Sequence, residues 1–176
     1  MFVQYNFDEV VPGQVYRSSQ PDPDHLRSWI QAYHIRTVIN LRGDSNPDVA
    51  SEVEVLRRSG VNYVSLRLNA RRLPTRDELR RLMQIIEQAE RPVLIHCRAG
   101  ADRTSLASFI AAMAVAGESF ETARRQISIR YWHVGDWGDD VADPANAYKN
   151  WCRSQHLPTA GWAQFREWAT NVYNPD

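Results

Sequence analysis

The sequence predicts an α/β fold, a three-layer sandwich in which helices flank a central, mostly parallel sheet of four or five strands. The first observation is that short apolar or alternating segments of strand length alternate with segments of helical spacing, as in βαβ units. The second is that the run Pro92–Ile95 is short and apolar throughout, which is typical of a parallel strand buried on both faces. A hydrophobic fraction of 43% and a mean hydropathy of −0.51 fit a soluble globular chain.

Each element has its own local signal. Asp22 and Pro23 are a helix cap and a first helical residue. Gly60 ends the second helix, and Thr75 with Glu78 forms a capping box before the third. Gly117 ends an Ala-rich helix. Strands are predicted at 15–17, 37–41, 61–66 and 92–95, and helices at 22–33, 48–58, from 75 onward, 103–116 and 119–130.

The last third of the chain is rich in tryptophan, and we predict two short helices there, at 143–153 and 159–173. Five of the six tryptophans follow residue 131. We expect them to pack a helical layer onto the core; the alternative is an aromatic wall beside a binding site. Residues 1–176 are therefore predicted to form one domain, with a core at about 13–130 and a helical extension at 131–176.

Composition excludes several classes of protein. The 21 basic residues balance 21 acidic ones, which argues against a nucleic-acid-binding protein. Within residues 57–103, however, 11 basic residues face 5 acidic ones, a local excess of +6. No apolar stretch approaches the ~18 residues of a membrane span. Two cysteines give neither a disulfide framework nor metal-site spacing, and residues 1–11 lack the basic start of a signal peptide, so we expect a cytoplasmic protein.

The most informative segment is His96–Thr104, between a buried strand and a helix. Ligands bind at this edge of parallel sheets, and the backbone N–H groups of a compact loop can converge on an anion. Gly100 permits a backbone shape that other residues resist. Arg103 can return its planar guanidinium to the same pocket, where N–H dipoles and positive charge would favour the thiolate of Cys97.

This segment resembles the signature H-C-x-x-G-x-x-R-[ST] of the cysteine-dependent protein tyrosine and dual-specificity phosphatases. Residues 15–21 (VYRSSQP) and 37–42 (TVINLR) are similar to the opening of compact, often bacterial, dual-specificity-like members. The resemblance covers roughly residues 13–130. It departs from the pattern at Ser105, where the family usually has glycine.

The resemblance implies a two-step hydrolysis without metal or cofactor. Cys97 attacks phosphorus, Arg103 and the loop amides stabilise the oxygens, and water hydrolyses the cysteinyl-phosphate. Thr104 would bond the Cys97 sulfur, and His96 would orient the loop. Gln126 lies where some relatives have a glutamine that positions water; the alternative is a solvated position. The phosphate-binding residues are Arg98, Ala99, Gly100, Ala101, Asp102 and Arg103.

The sequence offers two candidates for the general acid, since residues 60–75 contain no carboxylate where relatives commonly carry it. We favour Asp102, because a loop aspartate precedes the arginine in some members. The alternatives are a structural salt bridge for Asp102 and Asp77 as the acid. Asp77 is expected in a first helical turn, where its ordinary role is to cap the helix and stabilise its dipole.

The substrate is predicted to be a phosphorylated protein or a small phosphorylated molecule, with Arg67, Arg71 and Arg72 as possible contacts. The alternative is that these three arginines lie on a solvated loop and do not contact the substrate. A protein tyrosine or dual-specificity phosphatase is the first interpretation. A phosphoinositide or inositol polyphosphate phosphatase is the second, and a phosphate-binding pseudophosphatase the third. The sequence gives no signal for oligomeric state.

Overall fold

The computed structural model describes residues 4–45, 48–131 and 144–175. The strands are β1 (Asp8–Val11), β2 (Val15–Ser18), β3 (Thr37–Asn40), β4 (Asn62–Ser65) and β5 (Val93–His96). The helices are α1 (Pro23–Tyr33), α2 (Asp48–Ser59), α3 (Arg76–Gln88), α4 (Asp102–Ala116), α5 (Phe120–Ala123), α6 (Pro144–Ser154) and α7 (Trp162–Asn171).

The five strands form one sheet in the order β1-β2-β5-β3-β4. All neighbouring pairs are parallel except β1 with β2, which is antiparallel. The predicted α/β class and mostly parallel sheet are therefore confirmed. The sequence analysis did not anticipate β1, which is an edge strand of four residues.

Helices cover both faces of the sheet and produce three layers. One face packs against α1 and α2 around a core that includes Leu26, Val38 and Leu94. The other face packs against α3 and α4 around a larger core that includes Ile95 and Phe109. Helix α4 is buried nearly all round, which agrees with its Ala-rich composition.

The predicted helix at 119–130 is wrong beyond its first turn. Helix α5 ends at Ala123, and 3-10 turns follow at Arg124–Gln126 and Ile129–Tyr131. The physical reason is a competing hydrogen bond, because the Gln126 carbonyl accepts from Arg17 of β2 at 3.0 Å. A tertiary contact thus overrides local helical spacing.

The tail helices pack onto the larger core, as predicted for the tryptophan-rich segment. Trp168 is only 3% exposed, and Trp151 and Trp162 are half-buried against the same cluster. Trp132 and Trp137 lie outside the described residues. No helix in the described ranges is long and apolar enough to cross a membrane.

Candidate active site

The predicted phosphate-binding loop (residues 98–103) and the nucleophile Cys97 directly before it follow the carboxyl end of the central strand. His96, the last residue of β5, is in register with Ser18 of β2 and Asn40 of β3. The loop therefore emerges where three parallel strands end together, the usual ligand edge of such sheets. Cys97 follows at once and is 2% exposed.

Gly100 occupies a position that no other residue fits without a shift. Its φ is +69°, in the left-handed region. A Cβ added there would lie 2.7 Å from the Ser19 nitrogen and 2.8 Å from the Ser18 carbonyl oxygen. Both contacts are with backbone, which cannot rotate away as a flexible side chain would. The glycine lets the loop pack directly against the end of β2.

The carbonyl groups of residues 98–100 all accept hydrogen bonds from outside the loop. The donors are the Gln20 N–H at 3.2 Å, the Asn6 amide at 3.0 and 3.3 Å, and the Arg17 guanidinium at 2.8 Å. In the described part of the chain, the N–H groups of residues 98–101 donate to no protein acceptor. In a trans peptide the C=O of one residue and the N–H of the next point in opposite directions. These carbonyl contacts therefore turn the N–H groups of residues 99–101 away from their donors, as an anion cradle requires.

The ring of His96 is held in place by a buried carboxylate, that of Glu52 on α2. Its Nε2 lies 2.7 Å from Glu52 Oε1, and both side chains are essentially inaccessible to water. The second oxygen of Glu52 accepts from Gln20 at 2.8 Å, and Gln20 in turn accepts from Arg42. A hydrogen-bonded chain therefore joins the residue before the nucleophile to Arg42.

The other two signature side chains have different surroundings. Arg103 Nη1 lies 3.4 Å from the carbonyl oxygens of Leu41 and Leu68, which follow β3 and β4. Thr104 is fully buried, and its hydroxyl makes no hydrogen bond to any residue that the structure describes. The predicted hydrogen bond from Thr104 to the Cys97 sulfur is therefore not formed in this conformation.

A cavity of about 580 Å³ opens beside the loop. Among the described residues, its lining is dominated by arginine and includes one carboxylate. The lining residues are Arg42, Ser45, Arg67, Leu68, Asn69, Ala70, Arg72, Glu78, Arg98 and Arg103. We call this cavity the arginine pocket. The predicted contacts Arg67 and Arg72 belong to it, whereas Arg71 does not.

The rim of the arginine pocket is held by contacts at the surface. The stem of Arg67 passes 2.8 Å from where a Cβ on Gly43 would lie, so glycine makes room for it. Arg72 donates to both oxygens of Glu78 at 2.7 and 2.8 Å. This contact lowers the pKa of Glu78, which also caps α3 through the predicted capping box. Glu78 is thus ionised at neutral pH.

The two candidate acids lie in different places. Asp102 belongs to the loop and is half-buried in the first turn of α4, which begins there. Asp77 is 94% exposed in the first turn of α3, 3.8 Å from Arg80. It lines a separate groove that it shares with Arg166 of α7. Asp102 is therefore at the loop through its place in the chain, whereas the fold leaves Asp77 at a separate groove.

Four residues that contact the loop or its histidine were missed as site residues by sequence reasoning: Asn6, Arg17, Gln20 and Glu52. Arg17 carried a usable signal, because it lies inside a predicted strand of a sheet whose two faces were both expected to be covered by helices. Glu52 carried none, since it falls among the ordinary charged residues of α2. Within the described ranges, no three His, Cys, Asp or Glu side chains cluster as metal ligands.

Comparison with known proteins agrees with this geometry. The profile of a family described as "DSP-PTPase phosphatase fused to NAD+ Kinase" matches residues 7–134. TpbA from P. aeruginosa has 22% identity, with 97% of this chain and 94% of that chain covered and a TM-score of 0.65. A variant of TpbA has been solved in complex with pTyr.

Two further solved structures share the fold. The catalytic core of the S. cerevisiae PP-IP phosphatase SIW14 has 19% identity over 89% of this chain and 96% of that one, with a TM-score of 0.63. A putative phosphatase from Neisseria meningitidis has 26% identity over 81% of this chain and 95% of that one, with a TM-score of 0.56.

The fold, the loop and the family match together define a cysteine-dependent phosphatase of the dual-specificity type. Within that class, the chain belongs to the family described as DSP-PTPase phosphatase fused to NAD+ kinase. The predicted superfamily and enzyme class are confirmed.

Proposed function

We propose that the protein hydrolyses phosphomonoesters with Cys97 as the nucleophile and the phosphate-binding loop as the phosphate site. The observation that carries this proposal is the orientation of the loop. Its carbonyl oxygens are bound from outside, and its N–H groups are left to meet the equatorial oxygens of a phosphoryl group. Arg103, at the ends of β3 and β4, is the planar donor that completes this shell.

Two displacements at phosphorus describe the reaction. The Cys97 thiolate forms an S–P bond while the P–O bond to the leaving group breaks, and a general acid protonates the departing oxygen. Water then forms a new P–O bond while the S–P bond breaks. The proton of the water passes to the same carboxylate and regenerates the general acid, while cleavage of the S–P bond regenerates the thiolate. Inorganic phosphate and the dephosphorylated alcohol or phenol are the products.

Asp102 is our choice for the general acid. It is the carboxylate next to Arg103, and it is half-buried at the loop, whereas Asp77 opens into another groove. Asp102→Asn is expected to slow hydrolysis of alkyl phosphates by about 10²-fold, and aryl phosphates with good leaving groups much less. Asp77→Asn, the matched control, is expected to change neither rate. The opposite ranking of the two variants would refute the assignment.

The substrate class we favour is phosphotyrosine or other phosphoprotein sites. A TpbA variant in complex with pTyr is among the structural relatives. Cys97 is only 2% exposed, and a phosphoryl group on an aromatic ring extends further toward a buried nucleophile than one on a short alkyl chain. A second candidate is a polyphosphorylated small molecule such as an inositol polyphosphate. It is favoured by the five arginines of the arginine pocket and by the PP-IP phosphatase SIW14 among the relatives.

One experiment tests the activity and ranks the substrates. Wild-type protein and Cys97→Ser are assayed on an aryl phosphate, a panel of phosphopeptides and inositol polyphosphates. We expect Cys97→Ser to abolish hydrolysis of all of them, with Cys152→Ser as an active control for loss of a buried thiol. Activity retained in Cys97→Ser would refute the proposal. A higher kcat/KM on inositol polyphosphates than on phosphopeptides would favour the second substrate class.

We also propose that the whole chain acts as one domain in the cytoplasm. The single domain is supported by the larger core, in which residues of α7 pack together with residues of β5 and α4. The free thiols of Cys97 and Cys152 support the cytoplasmic location, since the nucleophile must stay reduced. Limited proteolysis that releases a stable core lacking α6 and α7 would contradict the single domain.

A further inference from the structure

Arg17 is a charged side chain that the mechanism above does not use, although it lies directly behind the phosphate-binding loop. It is 0% exposed in the middle of β2. One end of its guanidinium donates to the Gly100 carbonyl at 2.8 Å and to Ser105 Oγ at 3.0 Å. The other end donates to the Gln126 carbonyl and side-chain oxygens at 3.0 and 3.1 Å. The planar fork therefore ties the loop, α4 and the turn after α5 together.

The buried charge of Arg17 has no carboxylate partner among the described residues. Its hydrogen-bond acceptors are carbonyl, amide and hydroxyl oxygens, all neutral. The centroid of the Tyr131 ring lies 3.5 Å from its guanidinium carbon. Asp8, the cross-strand neighbour of Arg17 on β1, accepts a hydrogen bond from the Tyr131 hydroxyl rather than from the guanidinium. Burial lowers the pKa of Arg17 to about 10, an effect that Tyr131, Cys97 and Asp8 oppose, in that order. The side chain is therefore still protonated at neutral pH.

An unpaired buried cation is costly unless an anion lies nearby. The site enclosed by the loop is where this protein binds an anion. The Cys97 thiolate occupies it before the reaction, and a phosphoryl group occupies it during the reaction. Arg17 faces that site from behind, through the Gly100 peptide, while Arg103 lies at its pocket side.

We propose that Arg17 is a positioning residue for the phosphatase reaction. It turns the Gly100 carbonyl outward, so that the loop N–H groups face the phosphoryl oxygens, and its charge stabilises the anion inside the loop. This inference rests on the proposed function. It assigns to the VYRSSQP segment a role at the site, rather than a role in the sheet alone.

The test compares Arg17→Met, which removes fork and charge, with Arg17→Lys, which keeps the charge. Arg36→Met is the matched control, because Arg36 is an exposed arginine paired with Glu90 next to β3. Four quantities are measured for each protein: the thermal unfolding midpoint, kcat and KM on an aryl phosphate, and the pH midpoint of Cys97 alkylation by iodoacetamide. Alkylation is read on the Cys97 peptide by mass spectrometry.

For Arg17→Met we expect kcat to fall by about 10²-fold, as for loss of an oxyanion donor, and the alkylation midpoint to move to higher pH. For Arg17→Lys we expect the alkylation midpoint to stay near that of the wild type, while kcat still falls at least about tenfold, because a single ammonium cannot hold both acceptor sets. Arg36→Met is expected to match the wild type in kcat and alkylation.

Other charged groups that bear on this readout stay unchanged in all variants. Asp8, Arg130 and Tyr131 lie around Arg17, and Glu52, His96, Asp102 and Arg103 lie on the elements around Cys97. A shift of the alkylation midpoint confined to Arg17→Met therefore reports the loss of the Arg17 charge.

A purely structural role for Arg17 gives a different result. Folded Arg17→Met with a lowered unfolding midpoint, but with wild-type kcat and alkylation, would overturn the proposal. If Arg17→Met does not fold, Arg17→Lys decides: reduced kcat at a wild-type KM supports the proposal, and wild-type kcat refutes it. Failure of the proposed function is distinguishable, because the wild-type protein itself would then be inactive.

Discussion

The back and the mouth of the phosphate-binding loop are built in different ways. At the back, Arg17 and the pair of Glu52 with His96 are shielded from water, and each carbonyl of residues 98–100 has a donor. At the mouth, Arg67, Arg72 and Arg98 are exposed. The ion pair of Arg72 with Glu78 leaves 46% of the arginine side chain accessible.

This difference separates chemistry from substrate selection. A buried donor or acceptor left without its partner costs about 1–3 kcal/mol, so the geometry at the back is fixed by folding itself. Exposed ion pairs contribute about 0–1 kcal/mol and are screened by salt, so the arginines at the mouth can rearrange around a ligand. Substitutions at the back are therefore expected to affect kcat and stability, and those at the mouth to affect KM.

The largest effect is expected from Gly100→Ala, because the new Cβ meets backbone atoms of Ser18 and Ser19 at 2.7–2.8 Å. Activity is expected to fall by at least about 10²-fold as the loop is displaced, with a loss of roughly 2–4 kcal/mol in the free energy of unfolding. Gly60→Ala is the control, since its φ is +65° but nothing lies within 4 Å. It is expected to cost about 1 kcal/mol and leave activity intact. Equal losses in both variants, by urea denaturation and aryl phosphatase assay, would contradict the account.

Arg103→Lys is expected to lower kcat on an aryl phosphate by about 10²-fold while leaving the unfolding midpoint nearly unchanged. Lysine keeps the charge but loses the planar fork that matches two phosphoryl oxygens. Arg80→Lys, on an exposed face of α3, serves as the control. A wild-type kcat in Arg103→Lys would remove Arg103 from the phosphate site.

A smaller effect at the back is expected from Glu52→Gln. The carboxylate accepts from both His96 and Gln20, whereas an amide offers only one oxygen, so one buried donor loses its partner. We expect a loss of about 1–3 kcal/mol in unfolding free energy and a kcat lowered about tenfold. Glu54→Gln, on the same helix but paired with exposed Arg57 and Arg58, is the matched control and is expected to change little. If Glu52→Gln and Glu54→Gln have the same unfolding free energy and kcat, the position of His96 does not depend on the Glu52 carboxylate.

The smallest effect is expected at the mouth, from Arg72→Ala. We expect KM for a polyphosphorylated or acidic phosphopeptide substrate to rise about two- to tenfold at low salt, with kcat unchanged and with the difference lost at high salt. Arg71→Ala is the control, because Arg71 is the adjacent exposed arginine but does not line the arginine pocket. A fall in kcat for Arg72→Ala, or an equal rise in KM for Arg71→Ala, would contradict the division between back and mouth.

The same division explains which parts the sequence predicted. The loop, its glycine and the order of strands and helices follow from local signals, such as the spacing from Cys97 to Arg103. The supports at the back depend on long-range pairing: Arg17 and Gly100 are 83 positions apart, and Glu52 and His96 are 44 apart. No periodicity or motif encodes such pairs. The prediction of a helix at 119–130 was wrong for the same reason, because the Gln126 carbonyl accepts a hydrogen bond from Arg17 instead of from a residue of its own helix.

The most direct test of the account is to trap the phosphoenzyme. Wild-type protein is mixed with an excess of aryl phosphate, quenched in acid within the first turnovers, digested and analysed by mass spectrometry. We predict one added phosphoryl group on the peptide that contains Cys97, absent in Cys97→Ser and in protein quenched before substrate is added. Steady hydrolysis with no phosphoryl group on Cys97, or with the group on another residue, would contradict a cysteine nucleophile at this loop.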